Sequence, residues 1–461
     1  MFKRQALSRL NEWKNSPYRK PLIVRGPRQV GKTTVVKQFG ESFDSYVYLN
    51  LEKSDDLAAI ERQMPLDPLL EILFARSHQA YRPDRALLFI DEIQNSPRTI
   101  ALLRYFYEEH PELCVIAAGS LLENVVDVRA SFPVGRVDYM AMRPCSFREF
   151  LLALSKEHLF YFLDNPEYSD ACHEELASLF NQYTIVGGMP EIVAGYAKTH
   201  DLLAQDRLYT QLLRGYRDDV EKYVSDRKMT DVVRLILGKG WQYAAQTISL
   251  GNLGNSGYTA RDVGEAFRLL EKAMLVELVY PTTSATIPAM PQMRRQPKVI
   301  WFDTGLVNYA AGVRREVIGA QDIMDVWRGR IAEHIVAQEL LTQNDDFGTE
   351  RAFWMKEGGG GSAEVDFVWT VDAHLIPIEV KSGLNSHLRS LHSFVDAAPV
   401  NVGVRVWSGP FSVDDVQTTI KKKPFRLINL PFYLVGNLDT IVRKYVNWRK
   451  DVGVSPGVSV S

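Results

Sequence analysis

The chain has 461 residues, enough for two to four domains at roughly 100–200 residues each. Hydrophobic residues make up 46% and charged residues 24%, which excludes a disordered tail, a collagen or a disulfide-rich mini-protein. The formal net charge of −2 argues against a globally basic nucleic-acid coat, and three scattered cysteines (Cys114, Cys145, Cys172) point to a reducing, cytoplasmic setting.

The first twenty residues have no apolar core before a small-residue cleavage site, so they do not read as a secretory signal. Phe2, Ala6, Leu7, Leu10 and Trp13 fall at helical spacing and predict a short amphipathic helix packed on the first domain. Four short apolar runs follow: Pro21 to Val24, Tyr46 to Asn50, Ala86 to Ile90 and Leu113 to Ala118. Helical stretches such as Thr33 to Phe39 and Thr99 to His110 separate them. Apolar strands alternating with helices predict a parallel sheet covered on both faces. The longest apolar stretch, Leu113 to Leu122, is broken by Gly119-Ser120 and falls short of the ~20 residues of a membrane span, so no membrane segment is expected.

Residues 146–235 read as helical, and 236–315 as a small helical module with a hairpin. Residues 316–450 mix a helix from Trp327 to Leu341 with strands, and 451–461 read as a frayed tail. Four successive glycines between Glu357 and Ala363 predict a loop.

Gly26-Pro27-Arg28-Gln29-Val30-Gly31-Lys32-Thr33 fits GxxxxGK[ST] in full, between a strand and a helix that continues through Thr34. Backbone amides in such a loop turn toward phosphate oxygens, and the helix N-terminus adds partial positive charge. Lys32 would reach the β- and γ-phosphates and Thr33 would ligate Mg²⁺. The strand Leu87 to Ile90 ends in Asp91-Glu92. Asp91 is expected to hold the magnesium shell and Glu92 to polarise the attacking water. Ser120 has two readings: a contact to the γ-phosphate or water, or a helix N-cap. Arg136 also has two: an arginine finger or sensor, or a solvated side chain. No guanine-selecting Asn-Lys-x-Asp appears, so ATP is preferred over GTP.

GPRQVGKT, LLFIDEIQ, AAGSLLENVV and RPCSFREFL together resemble the prokaryotic AAA-type ATPases of the extended AAA group of P-loop proteins. Their usual partner is an uncharacterised C-terminal domain, matched here by VGGMPEIV at 186–193, VIWFDTGL at 299–306 and AEVDFVW with LIPIEVKSG at 363–383. The resemblance covers nearly the whole chain and implies an ATP-binding protein. It makes residues 1–145 the ATPase domain and 146–235 a helical lid or linker. AAA-like proteins often form rings, so a homo-oligomer is a further expectation.

Residues Glu364 to Gly383 read as a hairpin with Val365, Phe367, Trp369 and Val371 on one face and Ile376, Ile378 and Val380 on the return strand. Asp366 then stands opposite Glu379 and Lys381. Asp followed by Glu-x-Lys on an adjoining strand is the PD-(D/E)xK nuclease pattern. Asp366 and Glu379 would hold Mg²⁺, Lys381 would orient or deprotonate a water, and Glu333 matches the helix acid. The alternatives are a hairpin with a Glu379–Lys381 salt bridge, or a nuclease-like fold that only binds. Pro377 removes a strand donor, which predicts a strand near an edge or paired on one side.

Thr259 as N-cap, with Val263, Phe267, Leu270 and Met274 at helical spacing, predicts the recognition helix of a winged helix. Met293 to Lys298 would be its basic wing, contacting phosphates. A packing or protein-interaction module is the competing reading. Lys421 to Lys423 reads as a solvated loop, and isolated histidines as structural or exposed. The expected fold is thus α/β: a P-loop NTPase parallel sheet, a helical region, a winged-helix-like module and a PD-(D/E)xK nuclease-like α/β domain. The expected function is Mg²⁺-dependent ATP hydrolysis controlling a DNA-directed module. The alternative is a nucleotide-gated switch with a silent nuclease-like domain.

Overall fold

The structure is a computed structural model. It describes residues 2–119, 133, 135–221, 224, 226–313, 329–343, 351–357, 363–381 and 388–445. Ser120, Trp327, the glycine run after Glu357 and the tail 451–461 lie outside the described residues.

Helix α1 (Ala6–Lys14) buries Ala6, Leu10 and Trp13 against helix α2 (Lys32–Gly40), where the Trp13 and Phe39 rings lie 6.5 Å apart. Five strands form the first sheet: β1 (Leu22–Arg25), β2 (Ser45–Asn50), β3 (Ala86–Asp91), β4 (Cys114–Gly119) and β5 (Asp138–Ala141). Their order is β2-β3-β4-β1-β5 and every pairing is parallel. Side chains alternate between faces. Leu22, Val24, Leu87, Phe89, Ile116 and Ala118 face α1 and α2. Ile23, Leu88, Ile90, Val115 and Ala117 face helices α3 (Ser54–Ile60), α4 (Leu66–Arg76) and α5 (Pro97–Glu109). Sequence reading missed β5, a four-residue strand whose Asp138 and Tyr139 carry no apolar signal.

A run of helices follows: α6 (Phe147–Ala153), α7 (Phe160–Asp164), α8 (His173–Val186), α9 (Pro190–Thr199), α10 (Asp206–Glu221) and α11 (Arg227–Lys239). Helix α12 (Ala260–Lys272) starts at a capping box between Thr259 and Asp262 and buries Val263, Phe267 and Leu270. Strands β6 (Val276–Val279) and β8 (Lys298–Trp301) pair antiparallel. Between them, β7 (Pro281–Thr282) leaves this pair and joins the C-terminal sheet.

That sheet runs β13-β14-β12-β11-β10-β9-β7. Its strands are β9 (Ala352–Met355), β10 (Glu364–Val371), β11 (His374–Lys381), β12 (Val402–Trp407), β13 (Ser412–Gln417) and β14 (Pro424–Pro431). Helices α13 (Thr304–Ala310), α14 (Arg330–Leu340), α15 (Arg389–Ala397) and α16 (Leu438–Tyr445) complete the described chain. The expected hairpin is β10–β11, turning at Asp372 and Ala373, both at positive φ. The edge position expected from Pro377 is overturned, because β11 lies between β10 and β12. Pro377 is tolerated there because the register with β12 starts one residue later, at Ile378. Lys423 donates to the carbonyls of Val395, Ala398 and Val400, so it anchors the C-terminus of α15 rather than lying free in solvent.

Two motifs meet at the junction of these regions. Asp303, fully buried, accepts from Leu306 N at 2.9 Å as the cap of α13 and from Gly188 N at 2.6 Å. A Cβ at Gly305 would fall 2.2 Å from the Val186 carbonyl oxygen, so only glycine allows that approach. Burial pushes the Asp303 carboxyl up to about 6 against three backbone hydrogen bonds. From α14, Glu339 accepts from Phe147 N at 3.1 Å and from the Tyr183 hydroxyl at 2.7 Å. His334 accepts from Trp301 N at 3.0 Å, and its other ring nitrogen lies 2.9 Å from Thr304 Oγ1.

Candidate functional site

The phosphate loop leaves β1 at its C-terminal end and closes on Gly31, whose φ of +93° lies in the left-handed region that glycine adopts without strain. The loop is held from behind. Arg4 donates to the Val30 carbonyl at 2.9 Å while ion-paired to Glu149 at 2.8 Å. The Tyr216 hydroxyl donates to the Arg28 carbonyl at 3.0 Å. Arg28 itself pairs with Asp219 at 2.6 Å and Glu52 at 3.1 Å. Gln29 stands at positive φ, and Thr34 lies in the first turn of α2.

Lys32 is buried and donates to the carbonyls of Gly26 and Pro27, each at 2.8 Å. Burial pulls its ammonium down to about 8, against the raising fields of Glu92 and Asp91. Thr33 Oγ1 donates to Asp91 Oδ2 at 2.6 Å, and the Tyr48 hydroxyl reaches the same oxygen at 3.3 Å. Burial raises the Asp91 carboxyl, and the Thr33 hydrogen bond opposes the rise. Glu92 sits at φ 55° and its Oε2 accepts from Gln94 at 2.6 Å. Loop, α2 and the acidic end of β3 thus converge although β4 separates β1 from β3. Paired hydroxyl and carboxylate oxygens are the donor type that Mg²⁺ takes, so this site fits the ion.

Arg136 is not brought to this site within its own chain. β1 and β5 are parallel, with Leu22 opposite Asp138, so Arg136 lies at the N-terminal end of the sheet and the loop at the C-terminal end. There it pairs with Glu108 at 3.0 Å.

The second candidate cluster lies on β10, β11 and α14. Phe367 pairs with Ile378, which sets Asp366 opposite Glu379 on the other face. Asp366 Oδ2 accepts from Val380 N at 2.7 Å, and Lys381 Nζ lies 2.7 Å from Glu379 Oε1. Glu379 Oε2 is buried without a hydrogen-bond partner. Glu333 joins the cluster through Lys298, the last residue of the expected basic wing. Arg294 and Arg295 of that segment are exposed, but Lys298 turns inward. Its Nζ lies 2.7 Å from Glu364 Oε1, 3.1 Å from Glu333 Oε2 and 3.9 Å from Asp366 Oδ1. The wing reading fails at Lys298 because the residue opens a strand buried along its whole length. That placement was the available signal: a lysine at the head of an apolar run. Glu364 was also missed, since it reads as an ordinary strand end.

Burial, then repulsion from Asp366, raises the Glu333 and Glu379 carboxyls well above their ordinary values. Burial raises Asp366 as well. Burial acts to lower the Lys298 ammonium, but Glu333, Asp366 and Glu364 outweigh it and hold it above its ordinary value. As placed, no three His, Cys, Asp or Glu side chains among the described residues are grouped to hold a metal ion. No helix among the described residues is long and apolar enough to cross a membrane.

Residues 18–151 match the family model described as AAA domain. Residues 177–317 and 328–427 match two domains of unknown function, DUF8612 and DUF4143. No curated protein matches. Among solved structures, the chain is similar to the Walker-type ATPase PABY2304 of Pyrococcus abyssi, at 14% identity and a TM-score of 0.41, over 68% of this chain and 96% of that one. It is similar to the Aeropyrum pernix ORC1 protein in complex with DNA, at 12% identity and a TM-score of 0.29, over 68% and 92%. A third is Drosophila ORC bound to DNA, at 13% identity and a TM-score of 0.28, over 67% and 94%. With its phosphate loop and five-stranded parallel sheet, the N-terminal region matches the AAA domain model and fits the fold of a P-loop NTPase.

Proposed function

We propose that the chain is a Mg²⁺-dependent ATPase whose nucleotide cycle controls a C-terminal, DNA-directed domain of nuclease-like pattern. The carrying observation is the 2.6 Å contact between Thr33 Oγ1 and Asp91 Oδ2, which joins the phosphate loop to the acidic strand. On nucleotide binding, Lys32 exchanges the Gly26 and Pro27 carbonyls for the β- and γ-phosphates, and the backbone N–H groups from Arg28 to Thr34 surround the phosphate oxygens. Thr33 and Asp91 would hold magnesium, which supplies Lewis-acid neutralisation of phosphate charge. Glu92, steadied by Gln94, takes the proton of the water that attacks the γ-phosphorus as the bond to ADP breaks. Ser120 is assigned to the γ-phosphate or the water.

The domains proposed are 1–145, 146–235, 236–315 and 316–450, followed by a tail. Contact between them supports control. Pro190 packs within 3.8 Å of the position a Cβ would take at Gly31, and Asp303 ties the adjoining Gly188 to the start of α13. In the C-terminal domain, Asp366 and Glu379 would hold Mg²⁺ beside a phosphodiester, Lys381 would orient the water, and Glu333 is the helix acid. Lys298 among these carboxylates favours a second reading, in which the domain binds a partner without cutting.

Turnover of ATP by the wild type and by Lys32→Ala tests the first part. Equal rates would reject it. Incubating the wild type and Asp366→Ala with DNA and Mg²⁺ or Mn²⁺ tests the second part. Cutting by the wild type alone supports the nuclease, and equal cutting, or none, by both proteins supports the silent domain. Stimulation of ATP turnover by DNA would tie the two halves together.

A further inference from the structure

Lys298 comes from a different module than the acids it meets. Glu333 lies on α14, and Glu364 and Asp366 lie on β10. Lys298 opens β8, which pairs with β6 in a separate two-stranded sheet. Its side chain is 4% exposed, and its ammonium also lies 4.8 Å from the centre of the Phe353 ring. The other lysine of the cluster, Lys381, is turned to Glu379. That pairing leaves Glu379 Oε2 buried with no partner, although the residue is only 4% exposed. Four carboxylates therefore share two ammonium groups, and an acceptor oxygen remains unused. A buried carboxylate that stays ionised needs compensating donors or a cation, and the unpartnered Glu379 Oε2 has neither; hard oxygens in this number suit a divalent ion.

We propose that Lys298 is a tethered cation: docked, its ammonium closes the carboxylate cluster to divalent ions, and the cluster takes Mg²⁺ or Mn²⁺ when Lys298 is withdrawn. The inference rests on reading Asp366, Glu379 and Glu333 as metal-using residues. It adds that their availability is set by a strand outside their own sheet. Among the described residues β8 has no ladder with any strand of the seven-stranded sheet, so its withdrawal leaves the β10–β11 hairpin paired and breaks the contact of Trp301 N with His334 on α14. The separation between ammonium and oxygens, 2.7 to 3.9 Å, is that of ion pairs. A divalent ion would draw the same oxygens to roughly 2.0–2.6 Å.

The test is Mn²⁺ titration of the nucleotide-free full chain, with free Mn²⁺ followed by electron paramagnetic resonance. Lys298→Met removes the charge and keeps an apolar stem beside Phe353. It should bind one Mn²⁺ per chain beyond the wild type, at least tenfold more tightly than the wild type binds any ion at the cluster. Adding Asp366→Asn should abolish that gain, and Lys298→Arg should not show it. Equal Mn²⁺ binding by the wild type and Lys298→Met overturns the proposal, as does a gain in Lys298→Arg equal to that in Lys298→Met. If Lys298→Met does not fold, the wild type still decides. A micromolar Mn²⁺ thermal shift that Asp366→Asn removes would overturn the proposal, and no such shift supports it. DNA cutting is scored separately. Mn²⁺ gained by Lys298→Met without cutting would end the nuclease reading and leave the tethered cation standing.

Discussion

The phosphate site and the carboxylate–lysine cluster differ in how they are built. The first draws its chemistry from two short contiguous stretches, Gly26 to Thr34 and Asp91-Glu92, each at the end of a buried strand of one sheet. The second collects single side chains from β8, β10, β11 and α14, three of which are separated by long stretches of sequence. In the first, backbone amides can do much of the binding, and side-chain neighbours refine it. In the second, side chains do everything, so one residue from elsewhere can change the chemistry. A contiguous site is therefore robust to the packing of other modules, while a collected site depends on it.

The largest effect should follow from attacking the contiguous site. Glu92→Gln keeps the size and the contact with Gln94 but removes the base. Hydrolysis should fall by about 10²–10⁴-fold while ATP still raises the melting temperature. Turnover at the wild-type level would move the base elsewhere and remove the contrast between the sites. Next in size is the junction between them. Asp303→Ala leaves Gly188 N and Leu306 N without their acceptor, which should cost about 2–4 kcal/mol in denaturant unfolding. Asp303→Asn retains an acceptor and should cost less. Equal losses would mean that charge, not hydrogen bonding, holds the junction.

How far each region could be read from sequence follows the same division. GPRQVGKT and LLFIDE carry their chemistry in consecutive residues, and the strand–loop–helix context around them is local. The hairpin of Asp366, Glu379 and Lys381 was legible because a period of two fixes which side chains share a face. But a β-bulge between Val365 and Val368 breaks that period and sends Val365 to the face of Val368 and Leu375, away from Phe367, Trp369 and Val371. Lys298 was not, because its role depends on β8 packing across a module boundary, which no periodicity reports. Pro377 misled for a related reason. A missing donor does not make an edge strand when the neighbouring register begins one residue beyond it. Strand β5 was missed because four residues with an exposed Tyr139 give too little alternation to stand out.

A smaller effect concerns pH. Burial holds the Glu339 carboxyl at about 7 in the folded chain, above its ordinary 4.5, despite hydrogen bonds from Tyr183 and Phe147 that oppose the rise. The folded state thus binds this proton more tightly than the unfolded chain does. Its contribution to stability is complete below about 4.5 and is lost as pH climbs through 7. Glu339→Gln keeps an acceptor for both donors without the titration. The wild type should lose stability relative to this variant between those two pH values, measured by thermal or denaturant unfolding. A constant difference across that range would show that Glu339 keeps its charge in the folded chain.

The smallest expected effect is at Arg136. The parallel pairing of Leu22 with Asp138 and of Arg25 with Ala141 fixes the direction of both strands. Arg136 precedes the first pair and the phosphate loop follows the last, so the length of a four-residue strand, about 13 Å, lies between them. The side chain is turned to Glu108, which Arg104 also contacts at 3.0 Å. Arg136→Ala should therefore leave ATP turnover per chain unchanged at every protein concentration. A tenfold or greater loss, present in concentrated protein and absent from dilute protein, would assign Arg136 to the site of a neighbouring copy. The phosphate site would then be a collected one too, completed by a side chain from another copy as the C-terminal cluster is completed by Lys298 from another module.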